Sequence, residues 1–213
     1  MPRRKPGRAE DGRSRADIQA LAPAGAAASD TIPHPRTTAM LVVFGGLPGT
    51  GKTTIARAVA ERCQATYLRI DTIEMALWST NVADYVGPAG YVIAYALSET
   101  NLKLGQIVVA DAANPVTATR TAWRAAAASA SSPILEVEIV CSDAAEHRRR
   151  VENRTADIPG LVPPTWAEVV ARDYEPWPEP HLVIDTARLR PAEAVATIMA
   201  AIAERAPGRL RPS

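Results

Sequence analysis

Eight consecutive residues, Gly46-Leu-Pro-Gly-Thr-Gly-Lys-Thr53, constrain this chain more than any others. They satisfy G-x-x-x-x-G-K-[ST] in full. The apolar run Met40–Gly45 (MLVVFG) precedes them, as expected of a central parallel strand covered on both faces. The stretch Lys52–Cys63 follows, with Ile55, Ala58 and Val59 on one side of a predicted helix. Such a strand–loop–helix unit is built to hold a polyphosphate. Glycines let the backbone curl so that successive N–H groups point inward. The helix N-terminus adds unpaired N–H groups and the positive end of its dipole. Lys52 supplies a point charge to the β- and γ-phosphates, and the Thr53 hydroxyl can ligate Mg²⁺. The expected nucleotide site is therefore Gly46, Gly49, Thr50, Gly51, Lys52, Thr53 and Thr54, for ATP or GTP with Mg²⁺. The chain carries no Asn-Lys-x-Asp element, which leans toward ATP.

Further strands are expected at 66–71 (TYLRID), 106–111 (QIVVAD), 134–141 (ILEVEIVC) and 182–185 (LVID). Helices are expected at about 72–80, 89–104, 117–130, 143–154, 165–174 and 191–205. Strands alternating with helices predict βαβ units and an α/β domain with a parallel sheet. Residues 1–39, rich in Arg, Ala, Pro, Gly and Ser, read as a disordered tail; 40–207 form the domain and 208–213 a flexible end. The tail holds seven Lys/Arg against four Asp/Glu, so the remainder is slightly acidic, which argues against a large nucleic-acid footprint. Cys63 and Cys141 are far apart, with no CxxC or His/Cys cluster, so neither a disulfide scaffold nor a zinc site is expected. No apolar run approaches the roughly 18 residues of a membrane span, and no signal-peptide pattern follows the early arginines. A cytoplasmic location is expected.

Two carboxylates stand out. Asp71 ends the second predicted strand, and ligands of open α/β sheets sit at the carboxyl ends of strands. There it can take the proton of an attacking hydroxyl and aim its oxygen at the γ-phosphate; a plain helix N-cap is the alternative. Asp111 ends the third strand, in the Walker-B arrangement that holds Mg²⁺ directly or through water; a turn residue is its alternative. Asn114 and Arg120 follow, as candidate substrate or phosphate ligands. The segment Glu146-His-Arg-Arg-Arg-Val-Glu-Asn-Arg154 concentrates arginine on a predicted helix. Arg150 and Arg154 share one face and suit the equatorial oxygens of a transferring phosphoryl group, whereas His147 reads as part of a solvated face. The lid is expected at about 143–164, with 157–164 as its mobile cover. Trp78, Tyr85, Tyr91, Tyr95, Trp166 and Trp177 fall where an acceptor pocket should be rimmed, with Tyr91 and Trp166 the candidate substrate contacts.

With these residues in hand, the chain resembles the zeta-toxin, chloramphenicol-phosphotransferase and polynucleotide-kinase-like (AAA_33-type) group of P-loop kinases, over about residues 40–205. The resemblance rests on GGLPGTGKTT, the RID aspartate, VVADAANPVTATR, RRRVENR and LVIDT. It implies a P-loop NTPase three-layer sandwich with a five-stranded parallel sheet in the order 2-3-1-4-5 and a helical lid. It also implies that Asp71 activates the acceptor, that lid arginines grip phosphates, and that Asp185-Thr186 lies near the nucleotide base.

The leading expectation is a kinase that moves a γ-phosphate to a hydroxyl of a small molecule, an antibiotic among the candidates. Polynucleotide 5′-end kinase, sugar-nucleotide kinase toxin and nucleotide-dependent switch are the alternatives. The acidic body counts against the first, and Asp71 against the last.

Overall fold

The computed structural model describes residues 39–80 and 87–205. The expected tails, apart from Ala39, and Tyr85 lie outside the described residues. Five strands form one sheet: β1 (Met40–Gly45), β2 (Thr66–Arg69), β3 (Ile107–Asp111), β4 (Ile134–Val140) and β5 (Leu182–Asp185). All neighbours are parallel and the order is β2-β3-β1-β4-β5, as expected. Around them lie α1 (Lys52–Cys63), α2 (Ile70–Ser79), α3 (Ala89–Lys103), α4 (Thr117–Ser129), α5 (Ala144–Glu152), α6 (Trp166–Val170) and α7 (Pro191–Arg205).

β1 is apolar along its whole length because both of its faces are covered. Met40, Val42 and Phe44 join Ile55, Val59, Val195 and Ile198 in the core under α1 and α7. Leu41 and Val43 join Ala94, Leu102, Trp123 and Ala127 in the core under α3 and α4. Alternate side chains of one strand thus root both layers, each large one contributing about 1.5–3 kcal/mol of burial. β1 is the middle strand, and the chain builds out to one side of it before crossing to the other. A crevice opens above the carboxyl ends of β1 and β3 as a result.

The structure departs from expectation at three element ends. The second strand stops at Arg69, and Asp71 lies in the first turn of α2, where its charge complements the helix dipole. α5, capped by the Asp143 carboxylate on the amides of Ala145 and Glu146, ends at Glu152. The Asn153 side chain folds back onto the Arg149 carbonyl, so Arg154 leaves the helix. α6 has one turn and a half rather than the expected 165–174, and it starts on a Thr165/Glu168 capping box. Beyond it, Tyr174 turns away to bond Glu138, and Pro176 and Pro178 forbid helix. Among the described residues no helix is long and apolar enough to cross a membrane.

Candidate active site

The phosphate loop leaves the buried end of β1. The Gly46 amide donates to the Ala113 carbonyl at 3.0 Å, with φ at 135°. A Cβ there would fall 2.2 Å from the Ile139 carbonyl oxygen, so only glycine lets β1 and β4 flank the turn this closely. Gly49 is likewise left-handed, and a Cβ on it would strike Val151 of α5 at 2.4 Å. Thr50 is buried and serves the loop itself: its hydroxyl donates to the Leu47 carbonyl at 2.9 Å. Gly51, also left-handed, is the N-cap of α1 and bonds no side chain there, so the first-turn amides stay available. Gly49, Gly51, Lys52, Thr53, Thr54, Arg57, Arg150, Asn153, Arg154, Thr155 and Asp157 line a cavity of about 420 Å³. Its glycines, helix N-terminus and cluster of cations suit a polyphosphate.

The sheet register builds the next layer. Phe44, Asp111 and Arg69 stand level on β1, β3 and β2. Asp111 is buried at the end of its strand, as the Walker-B pattern requires, and is not a turn residue. Its oxygens face Lys52 Nζ at 3.7 Å and Arg69 Nε at 3.9 Å, and accept from the Tyr67 hydroxyl at 2.7 Å. Burial and the negative charge of Asp111 push the Tyr67 hydroxyl well above its ordinary range, so it stays a donor. Thr53 and Asp111 are the residues able to hold a divalent cation beside the phosphates. No cluster of three or more His, Cys, Asp or Glu exists among the described residues. That fits a hard cation such as Mg²⁺, which keeps most of its ligands as water and phosphate oxygens.

Asp71 and Asp111 share a second, smaller hollow of about 100 Å³ with Pro48, Lys52, Ala112, Ala113, Arg154, Pro164 and Arg172. The N-cap of α2 is Arg69, without a side-chain cap bond, so Asp71 is not a cap. Its side chain is 45% exposed and lies 3.4 Å from Arg69 Nη2. Arg154 lines both hollows, between the phosphate loop and Asp71. Arg150 is differently engaged. It pairs with Glu146 at 2.7 Å and donates to the Thr186 hydroxyl and carbonyl at 2.8 and 3.1 Å. Thr186 in turn donates to the Thr50 carbonyl at 2.8 Å. Gly51, Thr54, Ile55, Arg150, Thr186, Leu189 and Pro191 surround a hollow of about 310 Å³ adjoining the phosphate loop, of a size and place for a nucleotide base. Asp185 is not among its walls. Its carboxylate accepts from Ser142 and from the Ala187 amide, and of the expected Asp185-Thr186 pair Thr186 is the residue on the hollow's wall.

None of the four expected acceptor contacts lines the Asp71 hollow. Asn114 and Arg120 are both fully buried. Asn114 donates to the Phe44 carbonyl at 2.8 Å and accepts from Trp123 Nε1 at 2.9 Å. Arg120 donates to the carbonyls of Asn114, Glu175 and Pro176 and to the Thr117 hydroxyl, with its guanidinium 4.9 Å above the Trp177 ring. Arg120 clamps the 175–177 segment onto the sheet, Asn114 ties β1 to Trp123, and both side chains are spent on these contacts. Tyr91 packs on the core, its hydroxyl accepting from the Asn114 amide at 3.3 Å and pushed up to about 12 by burial. Trp166 stands edge-on to His147, ring centres 5.2 Å apart, and does not line the Asp71 hollow. Of the other aromatics, Tyr95 packs on Trp123, Trp177 fills the space beside Gly45, and Trp78 is exposed.

The residues not anticipated are Tyr67, Arg69 and Arg172, together with the contacts that Asp157 and His147 make. Arg69 is 5% exposed and grips both oxygens of Asp157, at 2.7 and 3.0 Å, while Arg57 adds a third bond at 2.9 Å. The expected mobile cover is thereby tied to the sheet. His147 is buried, not solvated, and its Nε2 lies 2.8 Å from the Pro48 carbonyl. One signal in the sequence was available for Arg69: a charge within an otherwise apolar strand demands a buried partner.

The family described as "AAA domain" (AAA_33) matches residues 41–163, more than half of the chain. The chain belongs to this family. The matched segment of this AAA-domain protein runs from β1 through the lid loop, taking in the phosphate loop, Asp71, Asp111, Arg150 and Arg154. No curated protein matches it by sequence. Among solved structures it is similar to a candidate kinase of Chloroflexus aurantiacus J-10-fl (TM-score 0.64, 20% identity, covering 79% of this chain and 98% of that one). It is also similar to the Mycobacterium tuberculosis APS kinase CysC, solved with AMPPNP and APS (0.58, 20%, 78% and 98%). A gluconokinase of Sinorhizobium meliloti 1021 gives 0.54, 19%, 81% and 95%. At such identities the likeness is one of fold.

Proposed function

We propose that the chain is a small-molecule kinase that moves the γ-phosphate of ATP to an acceptor hydroxyl. The observation that carries this reading is the shared hollow of Asp71, Lys52, Asp111 and Arg154 at the edge of the phosphate loop. A switch needs no half-exposed carboxylate opposite its triphosphate, whereas a kinase needs one there. The nucleotide lies along Gly46, Gly49, Gly51, Lys52, Thr53 and Thr54, with its base in the Thr54–Thr186–Pro191 hollow. Arg150 braces that end through Thr186, and Arg154 faces the transferring group. Mg²⁺, held by Thr53 and Asp111, neutralises charge on the phosphate oxygens when bound.

In the reaction, the bond from the γ-phosphorus to its bridging oxygen breaks and a bond to the acceptor oxygen forms. The acceptor proton passes to Asp71. Lys52 and Arg154 stabilise charge on the oxygens in flight. The lid loop, pinned by Asp157, keeps water from the centre. APS and gluconate, named for two similar structures, are small molecules, and this supports an acceptor of that size.

The test is a screen of hydroxyl-bearing metabolites and antibiotics with Mg·ATP, read as a mass gain of one phosphate. A hit lost in Lys52→Ala, with the variant still folded by circular dichroism, is the expected outcome. Turnover by Lys52→Ala at the wild-type rate would remove the phosphate loop from the reaction.

A further inference from the structure

We infer that the acceptor carries an anionic group, a carboxylate or a phosphate or sulfate ester, and that Arg172 is the residue that binds it. The inference rests on the kinase reading above and on a tally of charges around the Asp71 hollow. Three cations line that hollow: Lys52, Arg154 and Arg172. Lys52 faces Asp111. Nearby, Arg69 is held by Asp157, Asp71 and Asp111. No carboxylate among the described residues pairs with Arg154 or Arg172. Arg154 also lines the phosphate cavity, so the nucleotide claims it; Arg172 lines only the Asp71 side.

Arg172 is exposed, and it lines the Asp71 hollow. Its positive charge is felt at Glu74, at the Tyr91 hydroxyl and at Glu168, and the first two also feel the charge of Asp71. The Glu168 carboxylate is bonded to the Thr165 amide and hydroxyl in the capping box of α6 and makes no hydrogen bond to Arg172. Glu74 is a weak counterion for it. That carboxyl is half-buried, packed where a Cβ on Gly90 would strike it, and pushed up by burial and by Asp71. Asp71 is reserved for the hydroxyl proton. A planar guanidinium with five donors and no carboxylate, set beside the residue that receives the acceptor's proton, is suited to a bidentate anion.

Two experiments test this on the full chain. The first offers Mg·ATP with matched pairs of acceptors: gluconate with glucitol, glycerate with glycerol, glucose 6-phosphate with glucose. The charged member of a pair should be phosphorylated in preference to the neutral one. Arg172→Ala should lower kcat/KM for it by about 10–100-fold, mainly through KM, so that the preference collapses. Carboxylate and phosphate pairs separate the two sources of charge. Preference for neutral members, or a charged-member preference that survives in Arg172→Ala, overturns the inference.

The second experiment needs no acceptor. Inorganic phosphate is added to protein saturated with Mg·AMPPNP and its ³¹P line width is followed. Broadening by wild type that is lost in Arg172→Ala is expected. No broadening, or equal broadening by both proteins, overturns the anion site while leaving the kinase reading intact. Failure of AMPPNP itself to bind overturns the kinase reading instead.

Discussion

Arg69 holds both carboxylate oxygens of Asp157, a residue 88 positions further along the chain, and so fastens the lid loop to the second strand. Removing the carboxylate leaves a nearly buried guanidinium short of two charged hydrogen bonds. Asp157→Asn is expected to destabilise the fold by about 1–3 kcal/mol. The Arg69 bonds, opposed by partial burial and reinforced by Arg57, hold the Asp157 carboxyl well below the usual carboxylate range. A depressed folded value means the contribution is complete above the unfolded pKa, about 4, and fades as pH falls through the folded one. Denaturant titrations of wild type and Asp157→Asn should therefore differ by a constant amount from pH 5 to 8 and converge in acid. A gap that widens in acid would contradict the ion pair.

Asp71 makes no cap bond and has one long contact, so its loss should cost little stability. Asp71→Asn is expected to bind AMPPNP as wild type does while kcat falls by about 10²–10⁴. Isothermal titration and steady-state rates measure the two halves separately. An unchanged kcat would reduce Asp71 to a contributor to the dipole of α2.

The phosphate loop and the sheet were legible because their signals are contiguous: an apolar hexapeptide, three glycines at fixed offsets, and short apolar runs such as the one that ends in Asp111. Arg69–Asp157 was not, since no local pattern tells an arginine which distant carboxylate it meets. Asn114 and Arg120 were misread for a related reason. Both follow a strand that ends at the crevice, and polar residues there usually face a ligand. Arg120 is claimed by the carbonyls and the Trp177 ring of the 175–177 segment, and Asn114 by Phe44 and Trp123. Arg172 was hidden because it lies past the end of α6 and no local pattern marks it as part of the Asp71 hollow.

His147 props the phosphate loop from behind. The Pro48 carbonyl can only accept, so Nε2 carries the proton that it shares, and Trp166 backs the ring edge-on. His147→Gln keeps a donor at a similar reach, whereas His147→Leu keeps the bulk without it. The leucine variant is expected to weaken AMPPNP binding about three- to tenfold and to speed amide exchange at residues 47–51; glutamine should restore most of both. Equal loss in the two variants would assign the effect to packing.

Asn114 supplies the last case, because substrate contact and scaffold role predict different measurements. Its backbone is left-handed, φ 49°, a conformation asparagine tolerates better than alanine. Its amide ties the Phe44 carbonyl, at the root of the phosphate loop, to the Trp123 indole, and both partners are buried. Asn114→Ala strands a carbonyl and an indole N–H away from water and strains the backbone as well. The expected cost is about 2–4 kcal/mol of stability, seen as a lower denaturation midpoint. At a temperature where the variant is still folded, KM for the acceptor should stay within about twofold of wild type, since a loss of about 0.4 kcal/mol in binding corresponds to that factor. A large rise in KM with an unchanged midpoint would return Asn114 to the acceptor site and require its bonds to Phe44 and Trp123 to open in solution.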